Sequence, residues 1–103
     1  MSKEEKFYTE VSLNIKGAEQ SQMFGKPCFK INGKAFICLF ENCMVFKLNG
    51  NEHKEALALD GAKLFDPSNK GREMKEWVQV PFDYSTKWKQ FAKGAYNYVK
   101  ANS

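Results

Sequence analysis

The sequence predicts an α+β domain with a central five-stranded antiparallel sheet, in the order α-β-β-β-α-β-β-α. Two observations carry the sheet and one carries the helices. Asn32-Gly33 lies between two apolar runs and tolerates the positive backbone angles of a type I′ turn, a strong short-range hairpin signal. A second two-residue connection, Glu41-Asn42, follows one strand-length later, so the stretch from Met23 to Leu48 reads as a three-stranded meander. Toward the C-terminus, Tyr84, Trp88, Phe91, Ala92, Ala95 and Val99 fall on one stripe at helical spacing.

Each element has its own local reason. Ser2 and Glu5 have the spacing of a capping box, and Phe7, Val11 and Ile15 recur at helical intervals, predicting a first helix that Gly17 ends. Ala18 to Gln22 is polar and reads as linker. The meander strands fall at about Pro27–Ile31, Lys34–Phe40 and Cys43–Leu48. A short helix over Glu52–Leu59, capped by Asn51, precedes a fourth strand at Lys63–Phe65. Asp66-Pro67-Ser68-Asn69-Lys70-Gly71 is turn chemistry, and Met74–Val80 is the fifth strand. Pro81 closes it, and Asp83 or Ser85 caps the final helix, which reaches Ala101. The division is a helix and linker over 1–22, a sheet with one short helix over 23–80, and a closing helix over 82–101, all in one domain.

Counting outward from the turns pairs Phe29 with Phe36, Ile37 with Phe46, Cys38 with Val45 and Leu39 with Met44. One face then carries Cys28, Ile37, Leu39, Met44, Phe46 and Leu48, and the other Phe29, Ile31, Phe36, Cys38, Phe40 and Val45. On the fifth strand, Met74, Val78 and Val80 share one side and Trp77 and Gln79 the other. Both faces are apolar, whereas a sheet with one wet side alternates apolar with polar. Something must therefore cover each side.

Composition excludes several classes. No apolar run approaches the ~18 residues of a membrane span, and the polar N-terminal stretch has no secretory h-region, so a cytoplasmic protein is expected. Cys28, Cys38 and Cys43 are an odd set in such a chain and read as reduced thiols. The net charge of +4 comes almost wholly from lysine, with arginine present once, at Arg72. Nucleic-acid readers normally use more guanidinium.

Met23-Phe24-Gly25-Lys26-Pro27-Cys28, Lys30-Ile31-Asn32-Gly33-Lys34-Ala35-Phe36, Val45-Phe46-Lys47-Leu48, Leu64-Phe65-Asp66-Pro67 and Gly71-Arg72-Glu73-Met74-Lys75-Glu76-Trp77-Val78 form a set of segments. Together they resemble the TfoX N-terminal domain family, in particular its stand-alone single-domain members. The resemblance implies an α+β fold around an antiparallel sheet and a regulatory role in bacteria, connected in the founding members with DNA uptake. It supplies no catalytic residues.

The residues themselves point to binding rather than reaction. His53 is the one histidine and forms no triad with Glu52 or Glu55, and the cysteines lack the Cys-x-x-Cys spacing of a structural zinc site. No catalytic, metal or cofactor residue is assigned, and the protein is read as a non-enzyme. Phe29, Phe36, Phe40, Val45 and Trp77 are a candidate interface for a homodimer or protein partner if the helices leave their face open, and ordinary core if they cover it. Lys89, Lys93 and Lys100 fall within about 40° of one another on the last helix, with Tyr96 among them. With Lys26, Arg72 and Lys75 they are a candidate anion or nucleic-acid site, against a solvated lysine face as the alternative. The expected function is a cytosolic interaction or regulatory module acting by protein association, with anion or nucleic-acid binding as the rival.

Overall fold

Ser2 starts the first helix as its spacing with Glu5 predicts: its Oγ accepts the Glu5 backbone N–H at 3.1 Å, filling one of the donors a helix start leaves unpaired. The chain then forms α1 (Lys3–Leu13), β1 (Glu19–Met23), β2 (Lys26–Ile31), β3 (Lys34–Phe40), β4 (Cys43–Lys47), α2 (Gly50–Leu57), β5 (Lys63–Phe65) and β6 (Met74–Val80). A short 3-10 turn (Phe82–Tyr84) leads into α3 (Ser85–Ala101). The computed structural model describes residues 2–23, 25–66, 71 and 74–102.

Among the described residues the sheet is antiparallel and has six strands, in the order β1-β2-β3-β4-β6-β5. The additional strand is β1, where the sequence suggests linker. Its polar run pairs along β2 from Glu19 against Lys30 to Met23 against Lys26. An edge strand is held by its backbone and needs no apolar side chains, and polar residues there discourage further pairing. Hydropathy therefore gives no sign of it. Helix α2 also begins earlier than expected, with Asn49 at its N-cap instead of Asn51.

Both meander turns form as predicted. Asn32 and Gly33 have φ of 53° and 78°, and Glu41 and Asn42 have 49° and 64°, the paired positive angles of type I′. The β3–β4 register matches the sequence reading, with Ile37 against Phe46 and Leu39 against Met44. The β2–β3 register does not. Ile31 pairs with Lys34 and Lys30 with Ala35, but Phe29 pairs with Ile37, leaving Phe36 as an extra residue in β3. This is a β-bulge, which places two residues opposite one and bends the strand.

The bulge reassigns the faces. Phe29, Ile31 and Phe36 join Ile37, Leu39, Met44, Phe46, Leu48, Val78 and Val80 in the main core. That core is completed by Tyr8 and Val11 from α1, Ala56 from α2, and Trp88, Phe91, Ala92, Ala95 and Val99 from α3. All three helices thus lie on one side of the sheet. Trp88 is fully buried between Phe7 and Phe82, and Phe46 meets Phe91 at 5.7 Å between ring centroids. Gly94 lets α3 approach α2 closely, since a Cβ there would overlap the Glu52 carboxylate.

The other face carries Cys28, Cys38, Val45, Phe65 and Trp77, with Ala35, Phe40 and Met74 at its margin. No helix of the described residues covers it, yet Val45 is 0% and Trp77 6% exposed. Curvature contributes to that burial. Phe40 on β3 meets Phe65 on β5 at 5.1 Å, although β4 and β6 lie between their strands. In a flat sheet those strands would stand about 14 Å apart. The sheet is curled between β3 and the β5 edge, so that Phe40 and Phe65 approach each other over the strands between them. Met74, expected beside Val78 and Val80, belongs to this second cluster because the β5–β6 register shifts between Leu64 and Phe65.

Replacing a fully buried ring and a strained turn residue should have opposite effects. Phe46→Ala should lower unfolding stability by about 3–5 kcal/mol. Glu41→Asn, which suits its positive φ better, should raise it by about 0.5–1 kcal/mol. Urea denaturation followed by circular dichroism checks both.

Candidate functional site

The inward stripe of α3 seats it on the sheet, leaving its lysines on the opposite side. Lys89 and Lys93 are exposed, and between them and the end of α1 lies a groove of about 290 Å³. Val11 and Ile15 wall it from the α1 side, and Lys16, just past that helix, supplies a third cation. Tyr96, Asn14 and Asn97 complete it, so among the described residues the lining holds three lysines and no carboxylate.

Two of the polar side chains have defined orientations. The Asn14 amide nitrogen donates to the Glu10 carbonyl at 2.9 Å, which fixes that side chain as wall. The Tyr96 hydroxyl accepts from Lys100 Nζ at 3.3 Å, while the same ammonium lies 5.3 Å from the Tyr96 ring centroid. The hydroxyl's own proton remains a donor. Lys100 thus holds the tyrosine rather than lining the groove.

The other predicted anion-binding residues lie elsewhere. Lys26 is on β2 with its ammonium 5.6 Å from the Phe40 ring centroid, beside the second cluster. Lys75 is exposed on β6, separated from β2 by β3 and β4. Arg72 lies outside the described residues. Lys89 and Lys93 are therefore brought together, Lys100 supports them, and Lys26 and Lys75 are not part of the group. Lys16 is the contributor that sequence reasoning missed. Lys16 lies in the turn after α1, and no spacing in the sequence marks it, because its place at the groove depends on how that turn packs beside α3.

The predicted aromatic interface requires correction. Phe29 and Phe36 are beneath the helices, because the bulge turns them to that side. Phe40, Val45 and Trp77 lie on the opposite face, where the curled sheet takes part in burying them. The five do not share a surface. The large apolar side chains exposed among the described residues are Leu13 and Leu57.

The remaining reactive side chains have structural partners. His53 Nε2 donates to the Lys75 carbonyl at 2.7 Å, fastening α2 to β6. Tyr98 donates its hydroxyl to Glu76, tying α3 to the same strand and pushing the phenol pKa up. Cys28 and Cys38 are paired across β2 and β3, and burial raises both thiol pKa values. Burial also raises that of Cys43, against a hydrogen bond from the Gln79 side chain that lowers it. Among the described residues no group of three or more His, Cys, Asp or Glu side chains is placed to hold a metal ion, and no helix is long and apolar enough to cross a membrane.

Comparison of the chain with protein-family models, with curated proteins and with solved structures finds no match.

The thiol environments predict a distinct chemical behaviour. Their folded pKa values exceed the unfolded ones, so their contribution to stability is intact below the unfolded thiol range. It is lost from about pH 8.5 upward, as unfolding releases thiols that ionise. Denaturation midpoints should be level up to about pH 8 and fall above it. An aromatic disulfide reagent at neutral pH should label Cys43 before Cys28 and Cys38, and all three promptly in denaturant.

Proposed function

We propose that this protein is a non-catalytic binding module and that its partner is anionic, engaged on the side of α3 that faces the end of α1. One observation carries the reading: Lys16, Lys89 and Lys93 converge on a single groove whose described lining contains no carboxylate. Residues 84–103 themselves include no acid, and the carboxylates that meet the helix, Glu52 at Gly94 and Glu76 at Tyr98, are not part of the groove lining. Ammonium groups that line one groove repel, and an anion bound among them relieves that repulsion as it releases their counterions.

Protein association through the aromatic sheet face is the less favoured reading, because Phe29, Phe36 and Trp77 are buried and Phe40 is half-buried. The regulatory role implied by the TfoX resemblance accords with either kind of binding. A reaction is not favoured: the histidine is bonded to backbone, Cys28 and Cys38 are buried and Cys43 half-buried, and burial favours the protonated form of all three thiols.

Single-stranded DNA with a fluorescent label is a suitable polyanionic probe. Anisotropy should show binding at low ionic strength that weakens steeply as salt rises. The double variant Lys89→Gln/Lys93→Gln should bind several-fold more weakly, with a salt slope shallower by about 1 per lost phosphate contact. Binding equal in the variant, or no binding of this probe or of any smaller anion at low ionic strength, contradicts the reading.

A further inference from the structure

We infer that the α1–α3 groove takes a small amphipathic anion, an acidic head carried on a short aliphatic or aromatic body. The inference rests on the anion-binding reading and names the ligand class.

The groove has two chemically different parts. Val11 and Ile15 give it an apolar lining, and lysine stems such as those of Lys89 and Lys93 can cover apolar surface while their ammonium groups stay in water. Its rim is cationic. A bare inorganic anion would satisfy the rim and leave the apolar wall wet. A neutral apolar molecule would cover the wall and leave three ammonium groups facing it. A molecule with both parts uses both.

Size narrows the class. A groove of about 290 Å³ lies at the low end of ligand sites, which span roughly 300–1,000 Å³. It suits a head group with a body of a few carbons or one ring, and is too small for a dinucleotide. Polarity narrows it further, because every charged lining group is a donor. The Tyr96 hydroxyl adds another donor and is positioned close to Gly17, beside Lys16. A cluster of donors selects an acceptor-only head such as a carboxylate or phosphate.

The position adds a structural consequence. The groove joins the end of α1 to α3, two helices that also meet through Val11 and the core beneath. An occupant would add contacts across this junction and should stabilise the folded chain in proportion to its saturation.

Octanoate and octyl phosphate, each below its micellar concentration, are the probes, with acetate, inorganic phosphate and octanol as controls. Amide resonances are followed by NMR during titration. Octanoate or octyl phosphate should shift the signals of Ile15, Lys16, Lys89, Lys93 and Tyr96 saturably. The head alone and the neutral alcohol should each bind at least about tenfold more weakly, as loss of a charge-assisted bond or of apolar contact implies. Lys89→Gln/Lys93→Gln should weaken octanoate about tenfold, and Lys47→Gln on β4 should leave it unchanged. Acetate or octanol binding as well as octanoate overturns the inference. If the oligonucleotide binds through these lysines and neither amphiphile does, the ligand class falls and the anion reading stands. If neither the oligonucleotide nor an amphiphile binds, both fall.

Discussion

One extra residue in β3 governs where the aromatic side chains go. With Phe29 opposite Ile37 and Phe36 inserted beside it, the β2–β3 hairpin turns Phe29, Ile31 and Phe36 to the same side as Ile37, Leu39 and Phe46. That side becomes rich enough in large rings to seat all three helices. Without the bulge, half of these side chains would face away, because a one-residue slip exchanges the faces of a strand. The joint placement of α1 and α3, and therefore the groove between them, follows from that register.

The second face shows another solution to the same problem. An apolar sheet face without a helix is costly to leave in water. Here the sheet curls until Phe40 touches Phe65, with Lys26 lying over the Phe40 ring at the margin. Cys28, Cys38 and Val45 fill the interior of the curve, where small side chains fit. Burial explains the thiols' raised pKa values and makes them packing residues first.

Much of the fold was legible because it is encoded locally. The two-residue turns at Asn32-Gly33 and Glu41-Asn42, the Ser2 cap and the α3 stripe depend on residues a few positions apart, and each formed where it was read. The unread parts depend on partners distant in sequence. β1 exists because β2 offers it an edge, and its Gln and Ser side chains carry no periodic signal. The bulge is a choice of register between strands that Lys30, Ala35 and Phe36 do not announce. The site divides in the same way. Lys89, Lys93 and Tyr96 follow from helical spacing, but Lys16 joins them only when α1 packs beside α3, and the separation of Lys26 from that group needs the sheet order.

The arrangement of both long helices on one side of the sheet, with Phe29 and Phe36 beneath them, is the claim from which groove and function follow. Nuclear Overhauser contacts between assigned aromatic rings test it directly. The account predicts contacts from Phe29 to Tyr8 and from Phe36 to Tyr96, pairs whose centroids lie 5.6 and 5.8 Å apart. Contacts from Phe29 to Val45 or Trp77 in their place would put α1 and α3 on the wrong footing and contradict it.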